Sequence, residues 1–132
     1  MVKNKIFTCG CFDILHIGHV RLLKYAKSLG KELIIGLNTD ESIKRLKGDK
    51  RPINKFEHRK EILEGLSYVD AVIGFSEDTP YNLMKKINPD VIVKGGDYTP
   101  QHVVGNDLCE VIIFNLIDDI STTNILKKLR NN

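Results

Sequence analysis

The chain predicts an α/β fold, an open and doubly wound sheet of about five mainly parallel strands with helices on both faces. Three observations lead there. Short apolar runs of strand length alternate with stretches of helical periodicity along the chain. The first two such runs are joined by a helix, a crossover that implies parallel strands and a right-handed connection. The 132 residues, 42% hydrophobic and 28% charged, suffice for one ordinary core and are too few for two. A single domain over residues 1–132 is therefore expected.

Ile6 to Phe12 is an apolar, β-leaning first strand. Helical periodicity runs from Gly18 to Leu29 through Val20, Leu22, Leu23 and Ala26, with Gly30 as the C-cap. Glu32 to Leu37 is the second strand. Past Asn38-Thr39-Asp40 a short helical piece gives way to a basic segment broken by glycine and proline, Lys44 to Asn54, which reads as a mobile loop. Lys55 to Leu66 returns to helix with Phe56, Ile62, Leu63 and Leu66 on one face. Val69 to Phe75 is the third strand, and Thr79 to Ile87 a helix with Thr79 as N-cap and Pro80 at its first position. Val91 to Val93 is a fourth strand running into Lys94-Gly95-Gly96-Asp97, and Glu110 to Leu116 a fifth. Ser121 to Leu129 closes the chain as a helix with Ile125, Leu126 and Leu129 turned inward. This order is Rossmann-like. Ligands in such sheets bind at the carboxyl ends of the strands, near the point where strand order reverses. The polar motifs of the chain fall at such ends, Asn38 and Asp40 among them.

Composition excludes several classes. A formal net charge of +3 gives only a weak pull toward anions, far from the basic excess of a duplex-binding domain, so no nucleic-acid partner is expected. No stretch approaches the roughly 20 apolar residues that span a bilayer, and Met1-Val2-Lys3-Asn4-Lys5 runs into a strand without a signal-peptide core. A cytoplasmic protein without a membrane partner is the expectation. Three cysteines, an odd number, argue against a disulfide framework and for free, inert, buried thiols.

The most informative stretch follows the first strand. The run Ile6 to Asp13, with Cys9 and Cys11 in one strand, reads as a buried strand that ends at a glycine-marked turn, and His16-Ile17-Gly18-His19 opens a helix beginning near Ile17 with two imidazoles three residues apart. A helix N-terminus offers unpaired N–H groups and the positive end of the macrodipole, which suits phosphate. Histidines on that first turn add donors that can follow charge as it builds on an oxyanion. Gly18 lets a phosphate approach the backbone, and Thr8, Cys9 and Gly10 do the same from the strand end. Lys94-Gly95-Gly96-Asp97-Tyr98 leaves its strand through two glycines, either as a plain tight turn or with backbone groups meeting a nucleobase. Ser121-Thr122-Thr123-Asn124 caps the last helix. Cys9, Cys11, His16 and His19 are also zinc-ligand types, but the histidines lie beyond the turn and the core is the expected destination of both thiols. No metal site on the protein is expected.

Gly10-Cys11-Phe12-Asp13-Ile14-Leu15-His16-Ile17-Gly18-His19 resembles the HxGH signature of the nucleotidyltransferase superfamily, whose small members are cytidylyl- or adenylyltransferases. Four further blocks resemble the adenylyltransferases that act on heptose 1-phosphate: Lys44 to Pro52, Glu77 to Pro80, Val93 to Tyr98, and Ser121 to Ile125. The resemblance covers nearly the whole chain. It implies that Lys44 and Lys47, one helical turn apart, are triphosphate-contacting lysines and act with His16 and His19 in catalysis. It implies an active-site role for Phe12 and Asp13, where Asp13 could orient a histidine, bind a sugar hydroxyl or help hold magnesium through water. It places the Ser121, Thr122 and Thr123 block on the triphosphate or ribose, makes Arg51 a further candidate, and matches Arg59 to an arginine of related enzymes, with a plain helix-surface role as the alternative. A homodimer is implied as well. One departure stands out: an arginine that many cytidylyltransferases carry before this block is absent from Asn115 to Ile120, and Asp119 stands where heptose-type enzymes usually have glycine.

The chemistry so implied is attack by an ionised phosphate oxygen on the α-phosphate of a nucleoside triphosphate. The nucleophile is already an anion, so positioning and charge neutralisation suffice and no general base is needed. Mg2+ is expected to travel on the triphosphate, with few protein ligands. The expected reaction joins AMP from ATP to a sugar 1-phosphate, a heptose phosphate, with release of pyrophosphate, the chain working either alone or beside a separate sugar kinase. The runner-up uses CTP and glycerol 3-phosphate or a similar polyol or amino-alcohol phosphate. A catalytically silent nucleotide-binding module is opposed by the intact His16, His19, Lys44, Lys47 and Ser121. A dinucleotide-binding dehydrogenase lacks its G-x-G-x-x-G here, and a class I aminoacyl-tRNA synthetase lacks the room and the basic face.

Overall fold

The computed structural model describes residues 3–96, 98–115 and 121–131. Along the chain these form β1 (Lys3–Gly10), α1 (Ile17–Ser28), β2 (Gly30–Asn38), α2 (Asp40–Lys47), α3 (Phe56–Glu64), β3 (Ala71–Phe75), α4 (Tyr81–Ile87), β4 (Val91–Gly95), a 3-10 turn at Pro100–His102, β5 (Glu110–Phe114) and α5 (Thr122–Asn131). The five strands make one sheet in the order β3-β2-β1-β4-β5, each neighbouring pair parallel. This is the expected Rossmann-like α/β sheet. Strand order reverses between β1 and β4, where Ile6 stands opposite Val91 and Phe7 opposite Ile92.

Side-chain alternation divides the core into two layers. Ile6, Leu33, Ile35, Leu37, Val91 and Val93 face one side, packed with Leu22, Leu23 and Ala26 of α1 and Leu63 of α3. Phe7, Ile34 and Ile92 face the other, with Leu83, Met84 and Ile87 of α4. Strands buried on both faces read as continuous apolar runs, which is why Leu33 to Leu37 carries no polar alternation. Gly36 is part of this packing: a Cβ there would lie 2.7 Å from Phe7 Cζ, so only glycine admits the Phe7 ring.

Several expectations are corrected. β1 stops at Gly10, so Cys9 and Cys11 do not share a strand, and the three thiols are free but only partly covered at residue level. Gly30 opens β2, and the cap of α1 is Leu29 in right-handed helical conformation, its N–H donating to Ala26 O and Lys27 O. Thr79 does not cap α4; Pro80 occupies that position without a side-chain cap bond. Lys44 and Lys47 sit on helix α2 rather than on a loop, because Thr39 Oγ1 accepts from Ser42 N and Asp40 and Glu41 fill the first turn. Ile62 is 46% and Leu129 67% exposed. α3 turns Arg59 and Leu63 to the core instead, and only the first turns of α5 are partly covered. Asp97 and residues 116–120, with the acidic departure at Asp119, lie outside the described residues.

Candidate functional site

The turn from β1 into α1 is built from backbone that side chains rarely adopt. Phe12 has φ 45° and Ile14 φ 57°, left-handed values that cost on the order of 1 kcal/mol or more each outside glycine. Three other segments hold the turn. Phe12 is buried in the core, its ring 5.2 Å from that of His19. The Asp13 carboxylate, 1% exposed, accepts from the backbone N–H groups of Ile53 (2.6 Å) and Asn54 (2.9 Å), and Arg51 Nε lies 3.4 Å from it. From the far end of the chain, Thr122 Oγ1 donates to Asp13 O at 2.5 Å and also reaches Ile14 O. Asp13 thus clamps the segment after α2 to the turn, and both its oxygens are engaged.

The two histidines cap α1 reciprocally. Gly18 N donates to His16 Nδ1 (3.1 Å), His16 N donates to His19 Nδ1 (3.3 Å), and the rings stack with centroids 3.8 Å apart. This is a capping box written in imidazoles. Because each Nδ1 accepts, each ring must carry its proton on Nε2, and both remain neutral donors. Burial lowers the His16 pKa; burial first, then the charges of His16 and Lys47, lower that of His19 to about 4. The site therefore presents two oriented, uncharged Nε2–H groups at neutral pH.

These rings line a cleft of about 220 Å³ over the carboxyl ends of β1 and β4. Its opposite wall is the start of α5, where Ser121 Oγ accepts from Asn124 N (3.0 Å) and Thr122 and Thr123 expose the first turn. Lys47, Arg51 and Lys94 supply positive charge, Lys94 Nζ standing 4.9 Å above the Tyr98 ring. Arg51 Nε is buried and makes no hydrogen bond, but it stands in an ion pair 3.4 Å from the Asp13 carboxylate. Burial raises the Cys9 pKa despite nearby Lys94, which keeps that sulfur a thiol. Two helix N-termini, two neutral imidazoles and three cations converge on one hollow, an arrangement that fits a polyphosphate.

Of the residues singled out in the sequence, Cys9, Gly10, Phe12, Asp13, His16, Gly18, His19, Lys47, Arg51, Lys94, Gly95, Ser121, Thr122 and Thr123 line this cleft. Thr8 is buried beneath it. Lys44, exposed on α2, is not part of the lining. Arg59, 1% exposed, is no surface residue: it donates to Asn54 O, Cys11 O and Asn38 O and pairs with Asp40 at 2.7 Å. Asn38 in turn donates to Ser42 Oγ (3.0 Å). These residues brace the cleft from behind. Sequence reasoning missed Cys11 and Leu22 as lining residues. Leu22 follows His19 by three and shares its helix face, a spacing that could have revealed it.

Among the described residues no group of three or more His, Cys, Asp or Glu side chains is placed to hold a metal. Asp13 is the one carboxylate among the described lining residues, and its oxygens are already taken by N–H donors and Arg51. The donor set fits a divalent cation that rides on a triphosphate.

A family model described as cytidylyltransferase-like matches residues 7–128. Bifunctional protein HldE of Campylobacter concisus (strain 13826) is 52% identical over 130 residues, covering 98% of this chain and 28% of its own length. The chain thus spans little more than a quarter of that curated relative. Among solved structures, the lipopolysaccharide core biosynthesis protein of Thermoplasma volcanium GSS1 superposes with a TM-score of 0.72 at 28% identity, covering 87% of this chain and 97% of that one. Pantoate-beta-alanine ligase of Francisella tularensis, at 16% identity and TM-score 0.61 over 98% of this chain and 72% of its own, shares the fold.

Proposed function

The chain belongs to the cytidylyltransferase-like family, and from that premise we propose that it is a nucleotidyltransferase joining the AMP part of ATP to a sugar 1-phosphate, a heptose 1-phosphate. A phosphate oxygen of the acceptor attacks the α-phosphorus of ATP, the bond from that phosphorus to the β-bridging oxygen breaks, and pyrophosphate leaves. His16 and His19 donate through Nε2 to the oxygens of the five-coordinate phosphorus. The amide dipoles of α1 and α5 face the same charge from two sides. Lys47, Arg51 and Lys94 hold the triphosphate and the acceptor phosphate in line, and the Asp13 clamp keeps the turn in register. Mg2+ bound to the triphosphate supplies further charge neutralisation.

The observation that carries this reading is the reciprocal histidine cap, which uses up both Nδ1 atoms and leaves two neutral N–H donors on the cleft wall. The choice of acceptor draws on the similarity of the Lys44–Pro52 and Ser121–Ile125 blocks to heptose 1-phosphate adenylyltransferases. It also draws on relatives named HldE at about half identity, and on a structural neighbour named for lipopolysaccharide core biosynthesis. These favour ATP and a sugar phosphate over CTP and glycerol 3-phosphate. We further infer a cytoplasmic homodimer fed by a sugar kinase, in keeping with relatives named bifunctional. A panel of nucleotides and acceptors with pyrophosphate detection tests the proposal. Turnover with ATP and a heptose 1-phosphate supports it; turnover confined to CTP and glycerol 3-phosphate overturns the substrate assignment.

A further inference from the structure

On the α4 side of the sheet a further hollow of about 250 Å³ opens between the start of α4, the end of β4 and the 3-10 turn. Its floor is apolar, formed by Met84, Ile92 and Val103 of the core. Gly105 lets the chain after the turn close down on that floor: φ there is 94°, and a Cβ would lie 2.6 Å from both Ile92 Cδ1 and Met84 Sδ. Tyr81 Oη ties the same segment back to α4 by donating to Asp107 (2.6 Å). The rim is polar, with Thr79, Tyr98 and His102 on it. His102 Nδ1 is engaged by Thr99 Oγ1. Whichever of the two donates, Nε2 is left for a hydroxyl, which can both give and accept a hydrogen bond. An apolar floor under a few polar groups suits a small ligand with one C–H face and several hydroxyls.

We propose that this hollow takes the sugar of the acceptor phosphate, and that Tyr98 and His102 are the residues that select it. Cys9 and Lys94 line both this hollow and the catalytic cleft, so the two are continuous. Of the three cations in the cleft, Lys94 alone also lines the hollow; Lys47 and Arg51 do not. A ligand spanning the junction is therefore an uncharged body with one anionic end at Lys94, which is the shape of a sugar 1-phosphate and not of a triphosphate. In-line displacement also needs the attacking phosphate and the departing pyrophosphate on opposite sides of the α-phosphorus. The cations are divided in that sense, Lys47 and Arg51 coming from α2 and the segment after it and Lys94 standing at the mouth of the hollow. The nucleobase is the competing occupant. It would seat by stacking, but Lys94 Nζ already stands 4.9 Å over the Tyr98 ring, and a rim of hydroxyls and imidazole matches several sugar hydroxyls better than one purine edge.

The inference rests on the reading of AMP transfer to a sugar 1-phosphate, and the experiment separates the two. With Tyr98→Phe/His102→Ala, KM for heptose 1-phosphate should rise about tenfold, the loss expected for two neutral hydrogen bonds, while KM for ATP stays within about twofold and kcat within about threefold. An unchanged acceptor KM overturns the assignment. So does a rise in KM for ATP as large as that for the acceptor, which would give the hollow to the nucleobase. If the wild-type chain transfers nothing to heptose 1-phosphate, the parent reading fails instead. Calorimetric titration of heptose 1-phosphate into the wild-type and double-variant proteins then still decides: binding weakened in the variant supports the sugar site, and equal or absent binding in both sinks it. Both side chains are exposed, so a shared melting temperature for the two proteins serves as the folding control.

Discussion

At the scale of single residues, the site works through protonation states that the backbone enforces. His16 and His19 each spend Nδ1 on an N–H donor, so charging either ring breaks a cap bond as well as removing a neutral donor. His19→Ala and His16→Ala should each lower turnover by about two to four orders of magnitude with milder effects on ATP affinity, the range for deleting transition-state donors. Wild-type kinetics in both would remove the histidines from the mechanism. The pH dependence has a definite sign. His19 stays neutral in the folded chain down to about pH 4, whereas a free imidazole protonates near 6.5. Between those values the unfolded chain binds the extra proton, so stability falls as pH drops through the window and this contribution levels off below about pH 4. NMR titration of the imidazole should find its midpoint near 4; a midpoint at the free value would show the capping geometry to be wrong. Lys47→Ala should raise that midpoint, since the lysine charge is one of its causes. Little of this was legible beforehand. The sequence shows two histidines at a helix entrance, but which nitrogen each spends depends on the left-handed turn at Phe12 and Ile14, which no local propensity favours.

At the scale of elements, the cleft depends on struts that do not touch it. Arg59 on α3 ties Asn54 O, Cys11 O and Asn38 O to one guanidinium and balances Asp40 at the start of α2. Removing it strands three carbonyl oxygens and a carboxylate. Arg59→Ala should therefore cost about 3 kcal/mol or more in denaturant unfolding, with Arg59→Lys recovering only part. A loss below about 1 kcal/mol would show that water replaces these bonds. From sequence, Arg59 could be matched to a position but not to burial, because Glu57, His58 and Lys60 around it make the helix look solvent-facing. The order of strands and helices was readable because Leu33 to Leu37 and Val91 to Val93 are unbroken apolar runs. Ends were less readable: Gly30 could equally close α1 or open β2, and packing chose the strand. A second strut joins opposite ends of the chain. Thr122→Val removes the hydroxyl that Asp13 O and Ile14 O accept from. It should cost about 1 kcal/mol in stability and raise KM for ATP about tenfold, as the two helix starts lose their registration. Unchanged KM would place the α5 entrance outside the triphosphate site.

At the scale of the whole molecule, the sheet serves as a rigid platform whose carboxyl edge gathers residues from Cys9 to Thr123 into one cleft. Platform and site should be separable by substitution. Gly36 lies in the core layer on the α4 side, where an added Cβ meets Phe7 at 2.7 Å and Leu83 at 3.3 Å. Overpacking of this kind costs about 1–3 kcal/mol, so Gly36→Ala should lower the melting temperature while leaving KM for ATP near wild type. Nucleotide binding should act in the reverse sense. A non-hydrolysable ATP analogue would bind only where the entrances of α1 and α5 are held together, an arrangement the unfolded chain lacks. At a hundredfold excess over its dissociation constant it should add about 2.7 kcal/mol of stability to wild type and to Gly36→Ala alike. Thr122→Val should need more analogue for the same gain, because its two walls are no longer tied. If the analogue instead protected Thr122→Val at the wild-type concentration, the bound nucleotide would be touching only one wall, and the two-sided embrace of the α-phosphate would have to be given up.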